Sequence, residues 1–247
     1  MEQQRLDKII ASTGRFSRRE VKELIRRGQV LVDGVPARSA QEKADPEAAE
    51  ITVQGEPLVY RRFTWVMLNK PAGYLSATED GRGATVLDLL PPELQRQGLF
   101  PVGRLDKDTE GLLLLTDDGP LGHALLSPKN HVDKVYYAKV EGRLDRTDAE
   151  ALAAGMVLGD GLHCLPAELE PLGDGSQCHV TLREGKYHQV KRMLAARGKP
   201  VVYLKRLSMG PIALDPALAP GEWRPLTGEE KALLRRGTAG DPGFSAF

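Results

Sequence analysis

The run Gly103-Arg-Leu-Asp-Lys-Asp-Thr-Glu-Gly111 sets Arg104, Asp106, Lys107, Asp108 and Glu110 almost side by side. On an extended backbone, residues two apart project from the same side, so Arg104 and Asp106 can face a common space. A guanidinium beside an aspartate favours the ionised carboxylate, which can act as a nucleophile or stabilise developing positive charge. The same spacing also suits a structural ion pair closing a turn. On spacing alone that second use accounts for the residues better, because such pairs are common.

These groups need a rigid mounting, and the flanking sequence supplies one. Phe100-Pro-Val102 and Leu112-Leu-Leu-Leu115 are apolar runs on either side of the charged segment. They predict two buried strands with a charged loop between them at the edge of the core. Trp65-Val-Met-Leu68 predicts another buried strand leading into a turn at Lys70-Pro71-Ala72-Gly73. Residues 85–90 read as a short helix. Asp118-Gly-Pro120 reads as a helix start, so Asp117 and Asp118 are assigned to capping and not to a magnesium site. Residues 133–139 alternate as a strand with Tyr136 an aromatic at the core, and residues 178–182 form a further strand. Beyond the turn at Glu184-Gly185, Val190, Met193 and Leu194 start a helix that Gly198 ends.

Nearer the start, Ser17-Arg-Arg-Glu20 has the form of a capping box, and Val21, Leu24 and Ile25 follow at helical spacing before Gly28. Arg19, Lys22 and Arg26 fall on the opposite face as a basic stripe, which on composition alone is as readily a solvated helix face. Val30-Leu-Val32 then reads as a strand turning at Asp33-Gly34, and Ile51-Thr-Val53 as another. A linker is expected at about residues 57–62.

The 247 residues suit one large domain or two unequal ones, and 41% hydrophobic content suits a globular fold. Thirty-four basic residues balance thirty-four acidic ones, so net charge is silent about partners. Its distribution is not: residues 1–43 hold ten Lys/Arg against six Asp/Glu, an asymmetry that points to a polyanion-facing surface. Two cysteines, a start too charged for a signal peptide and no apolar run near the roughly 20 residues of a membrane span lead to the expectation of a soluble cytoplasmic protein with no membrane partner. His163-Cys164 and Cys178-His179 invite a zinc reading, but adjacent strand residues face opposite sides and the spacing fits no common zinc module. No dinucleotide fingerprint or Walker loop is present, so neither a metal nor a cofactor is expected.

Residues 103–119, Gly-Arg-Leu-Asp-Lys-Asp-Thr-Glu-Gly-Leu-Leu-Leu-Leu-Thr-Asp-Asp-Gly, resemble the signature of the RsuA/RluB/E/F group of pseudouridine synthases. That resemblance implies Asp106 as the catalytic nucleophile and Arg104 as the residue that positions it through a salt bridge. It extends to the Lys-Pro-x-Gly segment at Lys70, implying a place near the cleft and a candidate RNA contact there. It also reaches the Lys-x-Tyr segment, implying that Tyr136 stacks on the target base. In Tyr187-His-Gln-Val-Lys-Arg-Met193 it implies that Lys191 is a second cation beside Asp106. Residues 4–50 resemble the S4 RNA-binding domain, which implies phosphate contacts from Arg15, Arg18, Arg19, Lys22 and Arg26.

The fold class that follows is α+β: a small N-terminal S4-like RNA-binding domain at 1–58, and a larger catalytic domain at 59–236 with a mixed, mostly antiparallel sheet and a central cleft. Residues 237–247 are expected to be a flexible tail. Residues 187–193 and the Ala219-Pro-Gly-Glu-Trp-Arg-Pro225 segment look more like the small-subunit branch of the group. The implied reaction is therefore conversion of a uridine in 16S ribosomal RNA, at position 516, to pseudouridine. The expected partner is that RNA within a small-subunit assembly intermediate, acted on by a monomer. The alternatives are a 23S rRNA enzyme of the RluB/E/F type, or a non-catalytic rRNA-binding assembly factor.

Overall fold

The computed structural model describes residues 3–81 and 83–237, so the expected tail, apart from Gly237, lies outside the described residues. The chain divides into two compact units, one of residues 1–64 with 90–99 and the other of residues 65–89 with 100–247.

In the first unit, α1 (Leu6–Ser12) and α2 (Arg18–Arg26) pack with β1 (Val30–Val32), β2 (Val35–Pro36), β3 (Ile51–Val53) and β4 (Glu56–Pro57). The expected capping box is present: the Ser17 hydroxyl accepts from the Glu20 amide, and the Glu20 carboxylate accepts from the Ser17 amide. Val21, Leu24 and Ile25 enter a core with Leu6, Ile9, Ile10, Val30 and Val53. α1 has no side-chain cap, which is why sequence reasoning did not single it out. It is tied down instead by Asp7, buried on α1, whose carboxylate accepts from Arg5 Nε at 3.0 Å and Nη2 at 2.8 Å. The strands form a four-stranded antiparallel sheet in the order β2-β1-β3-β4.

The second unit is built on β5 (Trp65–Lys70), β6 (Glu110–Thr116), α3 (Gly119–Leu126), β7 (Lys134–Val140), α4 (Arg146–Ala153), β8 (Glu168–Leu172), β9 (Gln177–Leu182), α5 (Gln189–Ala196), β10 (Val201–Met209), β11 (Trp223–Pro225) and α6 (Gly228–Gly237). The strands make one sheet in the order β8-β9-β7-β10-β6-β5-β11, with two short strands added at Phe100–Pro101 and Ile212–Ala213. The strand expected to end near Val102 is that two-residue piece, and the helix expected at 85–90 is a single 3₁₀ turn at Val86–Leu89. Among the described residues no helix is long and apolar enough to cross a membrane.

The sheet is antiparallel everywhere except where β10 meets β6, through Lys205 opposite Glu110 and Arg206 opposite Gly111. This short parallel seam joins two antiparallel halves, and the charged loop enters β6 at the seam. β5 and β6 run side by side in the core, with Leu112 to Leu115 at 0% exposure. Each of those leucines contributes about 2 kcal/mol of burial, so the strand on which the charged loop is mounted is firmly held.

Gly111 fixes how closely the seam can approach. Its φ is +99°, and a Cβ there would lie 2.2 Å from the Arg206 carbonyl oxygen and 2.8 Å from its amide nitrogen. Backbone atoms cannot rotate away as a side chain can. Gly111→Ala is therefore expected to cost at least about 3 kcal/mol, read as a lowered urea midpoint. Gly73→Ala, at φ +94° with open space around it, should cost only about 1 kcal/mol. Equal midpoints for the two variants would refute this account of the seam.

Candidate active site

The loop that carries Asp106 is gripped from beneath by groups far away in sequence. Ser76 Oγ donates to the Leu105 carbonyl at 2.9 Å and accepts from the Leu105 amide at 3.1 Å. Lys70, at the end of β5, is fully buried. Its Nζ donates to the carbonyls of Thr109 (2.8 Å), Asp106 (3.1 Å), Pro71 (3.1 Å) and Lys107 (3.3 Å). An ammonium has three N–H donors, so at least one is shared between two carbonyls. Burial pushes the Lys70 pKa down to about 8, opposed by the charges of Asp108, Asp106 and Glu110.

Lys70 was expected as an RNA contact, and its burial corrects that expectation. With every N–H turned to the backbone, it has no donor left for a phosphate. It shapes the loop instead.

Asp106 is left facing a cleft with its side chain 24% exposed. Its Oδ2 lies 3.0 Å from Lys191 Nζ on α5 and accepts from Thr109 Oγ1 at 3.5 Å, while Oδ1 lies 3.5 Å from His188 Nε2. Lys191 also donates to Asp108 Oδ1 at 2.6 Å. Burial works against its charge, but the hydrogen bonds and charges of Asp108 and Asp106 outweigh this and raise its pKa. The Lys191 hydrogen bond in turn holds the Asp108 carboxyl below its usual range.

Arg104 lines the same cleft as Asp106, as the two-residue spacing predicts, but the expected salt bridge between them does not form. Among the described residues, the basic groups within 4 Å of the Asp106 carboxylate are Lys191 and His188. The carboxylate is already occupied from the α5 side, and Arg104 extends toward solvent.

Part of the lining comes from the sheet. Tyr136 on β7, 8% exposed, lines the cleft with Leu182 on β9 and Leu204 on β10. Beside Tyr136 in register lies Arg206, 2% exposed, whose Nε donates to the Leu112 carbonyl at 2.8 Å. Its Nη2 is buried with no hydrogen-bond partner among the described residues. Lys134, two residues before Tyr136 on β7, is also buried and donates to the Val132 carbonyl at 2.9 Å. Burial and the nearby Arg206 charge bring its pKa down to about 8, against the pull of Asp133.

The cleft mouth is the loop before α5. Glu184, 7% exposed, accepts from the Leu165 amide (2.8 Å), Gln189 Nε2 (2.6 Å) and Lys186 Nζ (2.9 Å). Arg104, Asp106 and Tyr136 thus line one cleft, and Lys191 reaches the Asp106 carboxylate. His188 and Thr109 line the cleft as well, and Arg206 lies buried beside Tyr136 in the sheet, none of the three having been assigned a role from sequence. His188 was legible only as an unassigned member of the Tyr187–Met193 run.

On the first unit, Arg15, Arg18, Arg19, Lys22 and Arg26 are all exposed. Arg15 pairs with Glu56 at 2.6 Å and Arg26 with Glu23 at 3.0 Å. Both thiols are free and buried; burial raises the Cys178 pKa to about 11. Among the described residues no three His, Cys, Asp or Glu side chains converge as a metal site would require.

Residues 64–196 match the family model for RNA pseudouridylate synthase, and residues 4–49 match the S4 domain. The chain is 53% identical over 233 residues to an uncharacterised RNA pseudouridine synthase, YtzG, of Bacillus subtilis, covering 93% of this chain and 98% of that one. It is 43% identical over 232 residues to ribosomal small subunit pseudouridine synthase A of Escherichia coli, covering 93% and 99%. A crystal structure of a pseudouridylate synthase matches with a TM-score of 0.66 at 38% identity, over 93% of this chain and 99% of that one.

Removing the Lys70 ammonium leaves buried carbonyls without a donor, at about 1–3 kcal/mol for each group left unsatisfied. Lys70→Met is expected to lower stability by about 2–4 kcal/mol in chemical denaturation, while the salt dependence of RNA binding keeps its slope. A flattened slope with unchanged stability would restore Lys70 as a phosphate contact.

Proposed function

The chain belongs to the RNA pseudouridylate synthase family, and on that premise we propose that it isomerises a uridine of 16S ribosomal RNA, at position 516, using Asp106 as nucleophile. The support is one juxtaposition: a partly exposed carboxylate with a lysine ammonium 3.0 Å away, in a cleft also lined by Tyr136.

The reaction conserves atoms and electrons. The N1–C1′ bond of uridine breaks, the uracil turns, and a C5–C1′ bond forms as C5 loses a proton and N1 gains one. Asp106 forms the covalent intermediate, at the sugar or at the base. Oδ1 is the oxygen to attack, because Oδ2 is engaged by Lys191 and Thr109 while Oδ1 has only the longer His188 contact. Lys191, 3.0 Å from Oδ2, orients the carboxylate for attack and sets a positive charge beside it as it departs. The target base must leave its stack, which costs a few kcal/mol, and the Tyr136 ring offsets this by stacking on it. Arg104, free of the carboxylate, is positioned to meet the backbone of the incoming RNA.

The exposed arginines and lysine of α2, with Arg15, supply affinity for phosphates and little sequence preference. The protein acts as a cytoplasmic monomer on a small-subunit assembly intermediate.

Asp106→Asn is expected to lower pseudouridine formation at least about 10⁴-fold while folding and RNA binding stay near wild type. Equal turnover by that variant would sink the assignment. In RNA from a strain lacking the protein, the 16S pseudouridine should be missing; a missing 23S site beside intact 16S sites would overturn the substrate. Arg19→Glu combined with Lys22→Glu should weaken RNA binding and reduce the salt slope by about one for each lost phosphate contact. Unchanged titrations would remove α2 from the RNA surface.

A further inference from the structure

Tyr187 is 75% exposed, unusual for a large aromatic side chain only one residue away from a group that touches the catalytic carboxylate. Its ring stacks on that of His188, with centroids 3.8 Å apart and planes 19° from parallel. The His188 ring lines the cleft and stands 3.5 Å from Asp106. Carboxylate, imidazole and phenol therefore run as a series from the site of chemistry to its mouth.

The backbone holds this series in place at a cost. His188 has φ 50° and ψ 35°, a left-handed conformation that disfavours a residue with a Cβ by about 1–2 kcal/mol. Neighbouring hydrogen bonds enforce it. The Lys186 amide donates to Gln189 Oε1 at 3.0 Å, Gln189 Nε2 donates to Glu184, and Lys186 Nζ contacts both Glu184 and the His163 carbonyl. A pinned loop presents the two rings with little ordering left to be done on binding. His188 covers one face of Tyr187, and the exposure of Tyr187 leaves its ring available to another flat group.

Resting on the reading of this cleft as an RNA uridine site, we propose that Tyr187 and His188 form a stacking subsite for the base adjacent to the everted uridine. Eversion breaks the stacking of the target on its neighbours, leaving an unstacked base at the cleft mouth where Tyr187 stands. Stacking on an aromatic side chain replaces the lost contact without reading base identity. The subsite is distinct from Tyr136, which is buried and faces the target base itself.

The test uses the full-length protein and a synthetic RNA spanning the uridine that the wild-type enzyme modifies, labelled with tritium at C5 so that turnover releases the label. Tyr187→Ala is expected to raise KM about ten-fold, equivalent to about 1.4 kcal/mol, with a much smaller change in kcat. Tyr187→Phe and Tyr187→Trp should restore KM, since they keep the ring and not the hydroxyl. Two further RNAs carry an abasic nucleotide on the 5′ or the 3′ side of the target. On one of them, wild type should lose the same factor and Tyr187→Ala should lose nothing more. A wild-type KM for Tyr187→Ala on intact RNA, or an undiminished alanine effect on both abasic RNAs, overturns the subsite. Failure of the wild-type protein to modify any rRNA would instead overturn the reading of the cleft.

Discussion

The Lys70 ammonium sits at the end of a buried strand and draws the carbonyls of Asp106, Lys107 and Thr109 toward one nitrogen. Burying such an ion unpaired would cost several kcal/mol, and the carbonyl cage is what makes it tolerable. The cage also has a directional effect. Once the backbone oxygens of the loop point inward to Lys70 and Leu105 is held on both sides by Ser76, the Asp106 side chain is left to face the cleft. The Asp106 carboxylate is thus aimed by its backbone, and its side-chain oxygens remain available to Lys191 and His188.

A second constraint lies at the seam between β6 and β10. Only two residue pairs join the antiparallel halves there, and Gly111 lets the backbones close to a distance that no Cβ would permit. Tyr203 on β10 donates to Glu110 Oε2 at 2.7 Å, adding a polar tie where the ladder is shortest. The cleft draws its walls from both halves: the Asp106 loop leads into β6, while Tyr136, Leu182 and Leu204 come from the other half. The seam therefore governs the separation between the Asp106 loop and the strands that carry Tyr136, Leu182 and Leu204. Precise placement of this sort is worth more to catalysis than any single contact, because misplacement by an ångström can cost about a hundred-fold in rate.

Charge in the cleft is shared among several groups. Lys191 divides itself between Asp106 and the more exposed Asp108, which keeps its ammonium charged and moderates its hold on the Asp106 carboxylate. A lysine restrained on one side by Asp108 is more fixed than a free ammonium, and this compensates for the absence of a planar guanidinium. Arg104, exposed and lining the same cleft, remains outside that network.

Elements whose signals lie within four or five residues were legible from the chain: the Ser17–Glu20 capping box, the Asp118 cap, the buried runs of β5 and β6, and the α5 face of Val190, Met193 and Leu194. Asp106 as the candidate nucleophile came from the resemblance carried by residues 103–119, since spacing alone favoured a structural pair. What the sequence could not decide was who meets whom. Lys70 reaches the Asp106 carbonyl across 36 residues and Lys191 reaches Asp108 across 83. Local patterns are set by backbone periodicity and nearby hydrogen bonds, whereas these meetings depend on strand register and on competition among several cations for one carboxylate. Tertiary structure alone therefore turned Lys70 inward, left Arg104 unpaired with Asp106, and placed His188 where sequence had marked only Lys191.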